Sequence, residues 1–156
     1  MFDTPVDTWY TWLGLALAGT AMVGTALSFP ATAAPDATSV ADTVDGVAAS
    51  EYATTAEHPL DATMIRLGPR RVSLRNDGGT AHAAFAFGPV APIRPDSKLE
   101  AVLYGAAPER TFESRRAFTQ ALVEAQTTEP TWRPVDRTLV VRRVQWGEQN
   151  ATLVGA

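Results

Sequence analysis

From Trp9 to Phe29 the chain runs for 21 residues without a charged side chain, and every face of that segment is apolar or small. At about 1.5 Å per helical residue such a run spans roughly 30 Å, the thickness of the hydrocarbon core of a bilayer. The pattern therefore predicts a transmembrane helix over residues 9–29. Thr4, Pro5 and Asp7 mark its start as N-cap, first helical residue and third-position acid. Trp9, Tyr10 and Trp12 fall where an interfacial aromatic belt belongs, and Pro30 and Pro35 stop the helix. Ala16, Thr20, Gly24 and Ser28 recur at every fourth residue and form a candidate helix-packing face of small side chains.

Residues 30–61 change character. They are rich in Ala, Thr, Asp and Glu, with scattered Val and a single Tyr. Low hydrophobicity with one sign of charge does not offset the entropy of ordering, so the expectation is a flexible acidic tether. A competing reading is a short helix over residues 40–53, in which Val40, Val44 and Val47 share a face.

Residues 62–156 read as a small folded domain. Met64–Leu67 is a short strand. Arg71 to Arg75 alternates polar and apolar, and Asn76-Asp77-Gly78-Gly79 follows as a hairpin turn. Thr80 to Phe87 alternates again. With Gly78 and Gly79 as the central turn residues, Leu74 would face Ala83 and Val72 would face Phe85. Pro89–Pro95 suits an extended loop or sheet edge, and Leu99–Tyr104 a further strand. Between Thr111 and Gln126 the period becomes helical, with Phe118, Ala121, Leu122 and Ala125 on one stripe. Thr138–Trp146 is the clearest strand, and Ala151–Val154 returns beside it after a turn at Gly147–Asn150. The fold class expected is α+β: an N-terminal transmembrane helix, a flexible tether, and a mainly antiparallel β domain with one packed helix.

Charge sharpens this division. Residues 1–61 carry eight acids and no Lys or Arg, whereas residues 62–156 carry thirteen bases against nine acids. Twelve of those bases are Arg and Lys98 stands alone, as salt adaptation or a GC-rich genome would each produce. The absence of cysteine excludes disulfides, thiolate metal sites and cysteine nucleophiles. His58 and His82 are far apart, and Asn76–Thr80 lacks the lysine of a phosphate-binding loop. Ser73, Ser97 and Ser114 have no nucleophile-elbow context. No catalytic, cofactor-binding or metal-ligating residue is therefore assigned, and no cofactor is expected. Arg66, Arg70, Arg71, Arg75, Arg142 and Arg143 lie on or beside strands. Arg142 and Arg143, being consecutive, should point to opposite faces, and without interleaved aromatics the group does not suggest nucleic acid.

Residues 1–15 (Met-Phe-Asp-Thr-Pro-Val-Asp-Thr-Trp-Tyr-Thr-Trp-Leu-Gly-Leu), Arg75-Asn-Asp-Gly-Gly-Thr-Ala-His82 and Gly88-Pro89-Val90 resemble a family of haloarchaeal single-pass membrane proteins. The resemblance implies a surface accessory role and an association with pilus-like or type IV secretion components. The basic, glycine-ended leader of a prepilin does not precede the apolar run.

The reading that follows is a non-enzymatic interaction or structural protein of the cell membrane, anchored in the lipid bilayer with its C-terminal domain outside. Its partner would be another membrane protein or a surface appendage. Asn150-Ala151-Thr152 is a glycosylation sequon, which makes Asn150 a candidate modification site and fits an external domain. The alternative is a secreted binding protein or enzyme, since Ala31-Thr32-Ala33 has the small-x-small form of a signal-peptide cleavage site.

Overall fold

A computed structural model describes residues 6–27 and 32–156, which fall in two compact units, Met1–Ala33 and Ala34–Ala156. The first unit is one helix, α1 (Val6–Leu27). Its described part starts at Val6, one residue after the Pro5 expected to open the helix, while Thr4, Pro5, Ser28, Phe29 and Pro30 lie outside the described residues. From Trp9 to Thr20 every side chain is exposed, with Trp9, Trp12, Leu15 and Leu17 each about two-thirds accessible or more. Among the described residues no helix is long and apolar enough to cross a membrane. In α1 glycine and threonine dilute the leucine, alanine and valine.

The second unit follows the order α2 (Ala37–Ala48), β1 (Thr54–Pro59), β2 (Met64–Leu67), β3 (Arg71–Asn76), β4 (Gly79–Ala84), β5 (Ala91–Pro92), α3 (Lys98–Leu103), α4 (Pro108–Thr111), α5 (Arg115–Thr127), β6 (Arg133–Pro134), β7 (Thr138–Trp146) and β8 (Gln149–Gly155). The strands form two four-stranded sheets, β1-β7-β8-β5 and β4-β3-β2-β6. All pairings are antiparallel except β5 with β8. The class is α+β with mainly antiparallel sheets, as the periodicity suggests, but there are two sheets and several helices rather than one helix.

Residues 37–59 overturn the tether. Asp36 caps α2, its carboxylate accepting from the Thr38 and Ser39 backbone N–H groups at 3.0 Å each. Val40, Val44 and Val47 then enter the core that α2 shares with both sheets, beside Ile65, Val72, Leu74, Leu139, Val141 and Val154. The stripe weighed for a competing helix thus does the packing, and the acids sit on the wet side. β1 follows and pairs with β7 along its whole length. Composition misled because five Val and Ala positions on one face of α2 suffice for packing while the segment as a whole stays polar.

The second core lies on the opposite face of the β1-β7-β8-β5 sheet. Val140, Val144 and Leu153 pack there against Leu99, Val102 and Leu103 of α3, Phe112, and Phe118 and Leu122 of α5. With both faces covered, β7 carries the consecutive buried run Leu139-Val140-Val141 instead of alternation.

Two further expectations are corrected. Lys98–Leu103 is a helix, not a strand: Glu100 Oε2 accepts from the Asp96 N–H at 2.7 Å across the helix start, and Leu99, Val102 and Leu103 bury one face. The hairpin turns on Asp77-Gly78, with Asn76 opposite Gly79, Leu74 opposite Ala81 and Val72 opposite Ala83. Asn76 Oδ1 accepts from the Gly78 N–H at 2.8 Å, and Gly79 takes φ 144°, a region that favours glycine. The register differs by two residues from the expected one, so the buried face is unchanged.

A cavity beside Arg94 and Arg133

Of the six arginines singled out in the sequence, four go to three places. Arg66 and Arg75 stack on Trp132, their guanidinium carbons 5.1 and 4.4 Å from its ring centre. In register, Arg66, Ser73 and His82 form a row across β2, β3 and β4. Arg142 and Arg143 diverge as consecutive strand residues must. Arg142 Nη1 donates to the Val102 carbonyl at 3.0 Å and Arg143 Nη1 to the Ala48 carbonyl at 2.5 Å, so each closes the C-terminal end of a helix.

The histidines remain apart. His58 on β1 meets two hydroxyls of α2, Thr43 Oγ1 at 2.8 Å from Nδ1 and Ser39 Oγ at 3.3 Å from Nε2. His82 is exposed on β4. Among the described residues no group of three or more His, Asp or Glu gathers where it could hold a metal ion. Ser97 Oγ donates to the Arg94 carbonyl at 2.8 Å, and Ser114 caps α5 by accepting from the Ala117 N–H. Ser73 is buried on β3.

Asn150 is exposed near the start of β8, whereas Thr152 of its sequon is buried. On the candidate helix face, Ala16 and Thr20 are exposed, Gly24 lies within α1, and Ser28 lies outside the described residues. The Thr20 hydroxyl donates back to the carbonyls of Ala16 and Leu17 at 3.1 and 3.0 Å.

A constellation invisible in the sequence lies between α3, α5 and the β5 edge. Pro92, Ile93, Leu99, Phe112, Ala121 and Ala125 enclose most of a cavity of about 290 Å³, with Arg94, Lys98 and Glu124 at its charged margin. A smaller chamber of about 40 Å³ shares Arg94 with it and adds Glu129 and Arg133. Arg133 Nη1 is buried with no hydrogen-bond partner. Burial pushes the Arg133 guanidinium below the ordinary arginine pKa, the charge of Arg94 adds to that, and Tyr104 and Glu100 oppose it. Among the described residues Arg94 reaches the Glu129 carbonyl, at 3.5 Å. No sequence signal joins Arg94 to Arg133, because β5 and β6 belong to different sheets.

No curated protein and no solved structure matches the chain. A family model does, over residues 3–144, which takes in α1 and the domain through most of β7. The chain belongs to that family, a family of unknown function designated DUF7283.

Proposed function

We propose that the protein is a membrane-anchored, non-enzymatic surface protein, in which the apolar segment 9–29 is the anchor and the domain Ala34–Ala156 serves interaction. The observation that carries this reading is the exposure of Trp9, Trp12, Leu13, Leu15, Leu17 and Met22 on α1. Side chains of this kind lose favourable free energy in water, about 25 cal/mol for each Å² of apolar surface left wet. Thr20 supports it, since a hydroxyl bonded to its own helix is satisfied without water. The described helix falls short of a spanning segment by itself, and the reading leans on the sequence's apolar run, which continues through Phe29. The resemblance to haloarchaeal membrane proteins, with the accessory role beside surface appendages that it implies, agrees with this assignment, as does the sequon at the exposed Asn150.

Washing native membranes with high salt and alkaline carbonate tests the anchor: the protein stays with the lipid, and its release would end the reading. Protease added to intact cells removes the domain if it faces outward. A second reading has its own support, because the compact domain begins at Ala34, directly after the small-x-small sequence. A mature protein starting at Ala34 would establish secretion in place of anchoring.

A further inference from the structure

Arg133 is held on the inward side of β6, opposite the buried Ile65, and its Nη1 lacks a partner. An unpaired guanidinium nitrogen in the interior costs the fold free energy unless something outside the chain supplies the acceptor. The charge of Arg94 adds to that cost, and Arg94 Nη2 has one long hydrogen bond among the described residues, to the Glu129 carbonyl. The unpaired Arg133 nitrogen and the exposed Arg94 guanidinium therefore belong to residues lining the same small chamber, which borders an apolar cavity. Among the charged residues lining the two spaces, Arg94, Lys98 and Arg133 outnumber Glu124 and Glu129. By contrast, a wider recess of about 370 Å³ beside α5 has Arg143 in its wall, a cation already engaged by the Ala48 carbonyl.

We propose that this cavity is a binding site for a small amphiphilic anion, a carboxylate or phosphate headgroup on a short apolar tail. Arg94 and Arg133 take the headgroup, and Leu99, Phe112 and Ala125 surround the tail. Guanidinium forks match both headgroups and bind either in paired hydrogen bonds. An inorganic anion would leave the apolar walls unused. The volume, at the small end for ligand pockets, limits the tail to a short chain. This site lies wholly within Ala34–Ala156 and is independent of the anchor.

The test titrates the full chain in lipid nanodiscs with hexanoate, hexyl phosphate and hexanol by calorimetry, after subtracting titrations into empty nanodiscs. At least one of the two anions binds, and which one binds more tightly identifies the headgroup. Hexanol binds at least tenfold more weakly. Arg94→Gln, at an exposed position that leaves the core untouched, weakens the anion at least tenfold. Ala125→Leu, which fills the cavity, abolishes binding while the thermal unfolding and circular dichroism of the domain are retained. Failure of both anions to bind, equal binding of hexanol, or an unchanged affinity in Arg94→Gln overturns the proposal.

Discussion

Thr43 Oγ1 and His58 Nδ1 stand 2.8 Å apart, and their hydrogen bond ties α2 to the edge strand β1. The Thr43 hydroxyl also lies 3.0 Å from the Ser39 carbonyl, to which it donates. It can then accept from His58, which puts a ring proton on Nδ1, and in the neutral ring Nε2 accepts from the Ser39 hydroxyl. The ring thus uses both nitrogens within one helix face. Replacing His58 with Phe keeps the ring volume and removes both bonds. The expected loss of stability is about 1–2 kcal/mol, from two part-buried hydrogen bonds of ordinary strength. Urea unfolding measures it, and Thr43→Val should account for the larger part, because the Ser39 contact is longer.

Val44 decides whether α2 belongs to the domain. It is fully buried between the sheets. In a solvated tether, Val44→Ala would be silent. In this core it should destabilise the domain by about 1.5–3 kcal/mol, the value of burying such a side chain. Asp42 is exposed on the same helix, and Asp42→Ala should change stability by less than about 0.5 kcal/mol. The pair of variants, unfolded under the same conditions, separates packing from helix composition.

How far this architecture was legible depended on whether a segment's pattern was long enough to show its period. β3 and β4 alternate over six residues each, and β7 is a nine-residue run rich in β-branched side chains, so all three read as strands. α5 showed its stripe across thirteen residues. α3 has six residues, less than two turns, and the apolar positions Leu99, Val102 and Leu103 fit a strand almost as well. The hairpin register failed for a different reason: Asn76-Asp77-Gly78-Gly79 offers two turn positions, and a shift by two residues keeps the same side chains inside. α2 shows that a visible stripe, Val40-Val44-Val47, outweighs composition once two sheets offer it a surface. The cavity was beyond reach, since it arises where the β5 edge and α3 approach α5, and the loop before β6 closes the smaller chamber beside it.

Asp45 carries the connection from α2 to the chain after β4. Its Oδ2 accepts from the Ala86 N–H and its Oδ1 from the Phe87 N–H, both at 2.9 Å. The carboxylate supplies two equivalent acceptors, whereas an amide supplies one. Asp45→Asn should therefore release one of the two N–H groups and lower stability by about 1 kcal/mol, and Asp45→Ala by about 1–2 kcal/mol. Hydrogen exchange at the Ala86 and Phe87 amides gives the local test: both should speed up in Asp45→Ala beyond the fall in global stability, while amides of β7 lose protection only in step with it.

Arg133 is where stability and binding should part company. A base whose pKa is lower in the folded state than in the unfolded one costs the fold stability at every pH below its folded value. Arginine stays protonated throughout the range between about pH 5 and pH 9, so the penalty should not vary across it. Arg133 is only half-buried, so solvent screens the effect and keeps it small. Arg133→Met retains a flexible apolar stem and removes the unpaired nitrogen. The ligand-free domain should then be as stable as the parent or more stable, by up to about 1 kcal/mol, equally at both ends of that pH range. The same substitution should weaken the anion that binds beside Arg94. A variant less stable than the parent by more than about 1 kcal/mol would mean that the guanidinium already has a partner in the folded chain, and the cavity would lose its reason to recruit one.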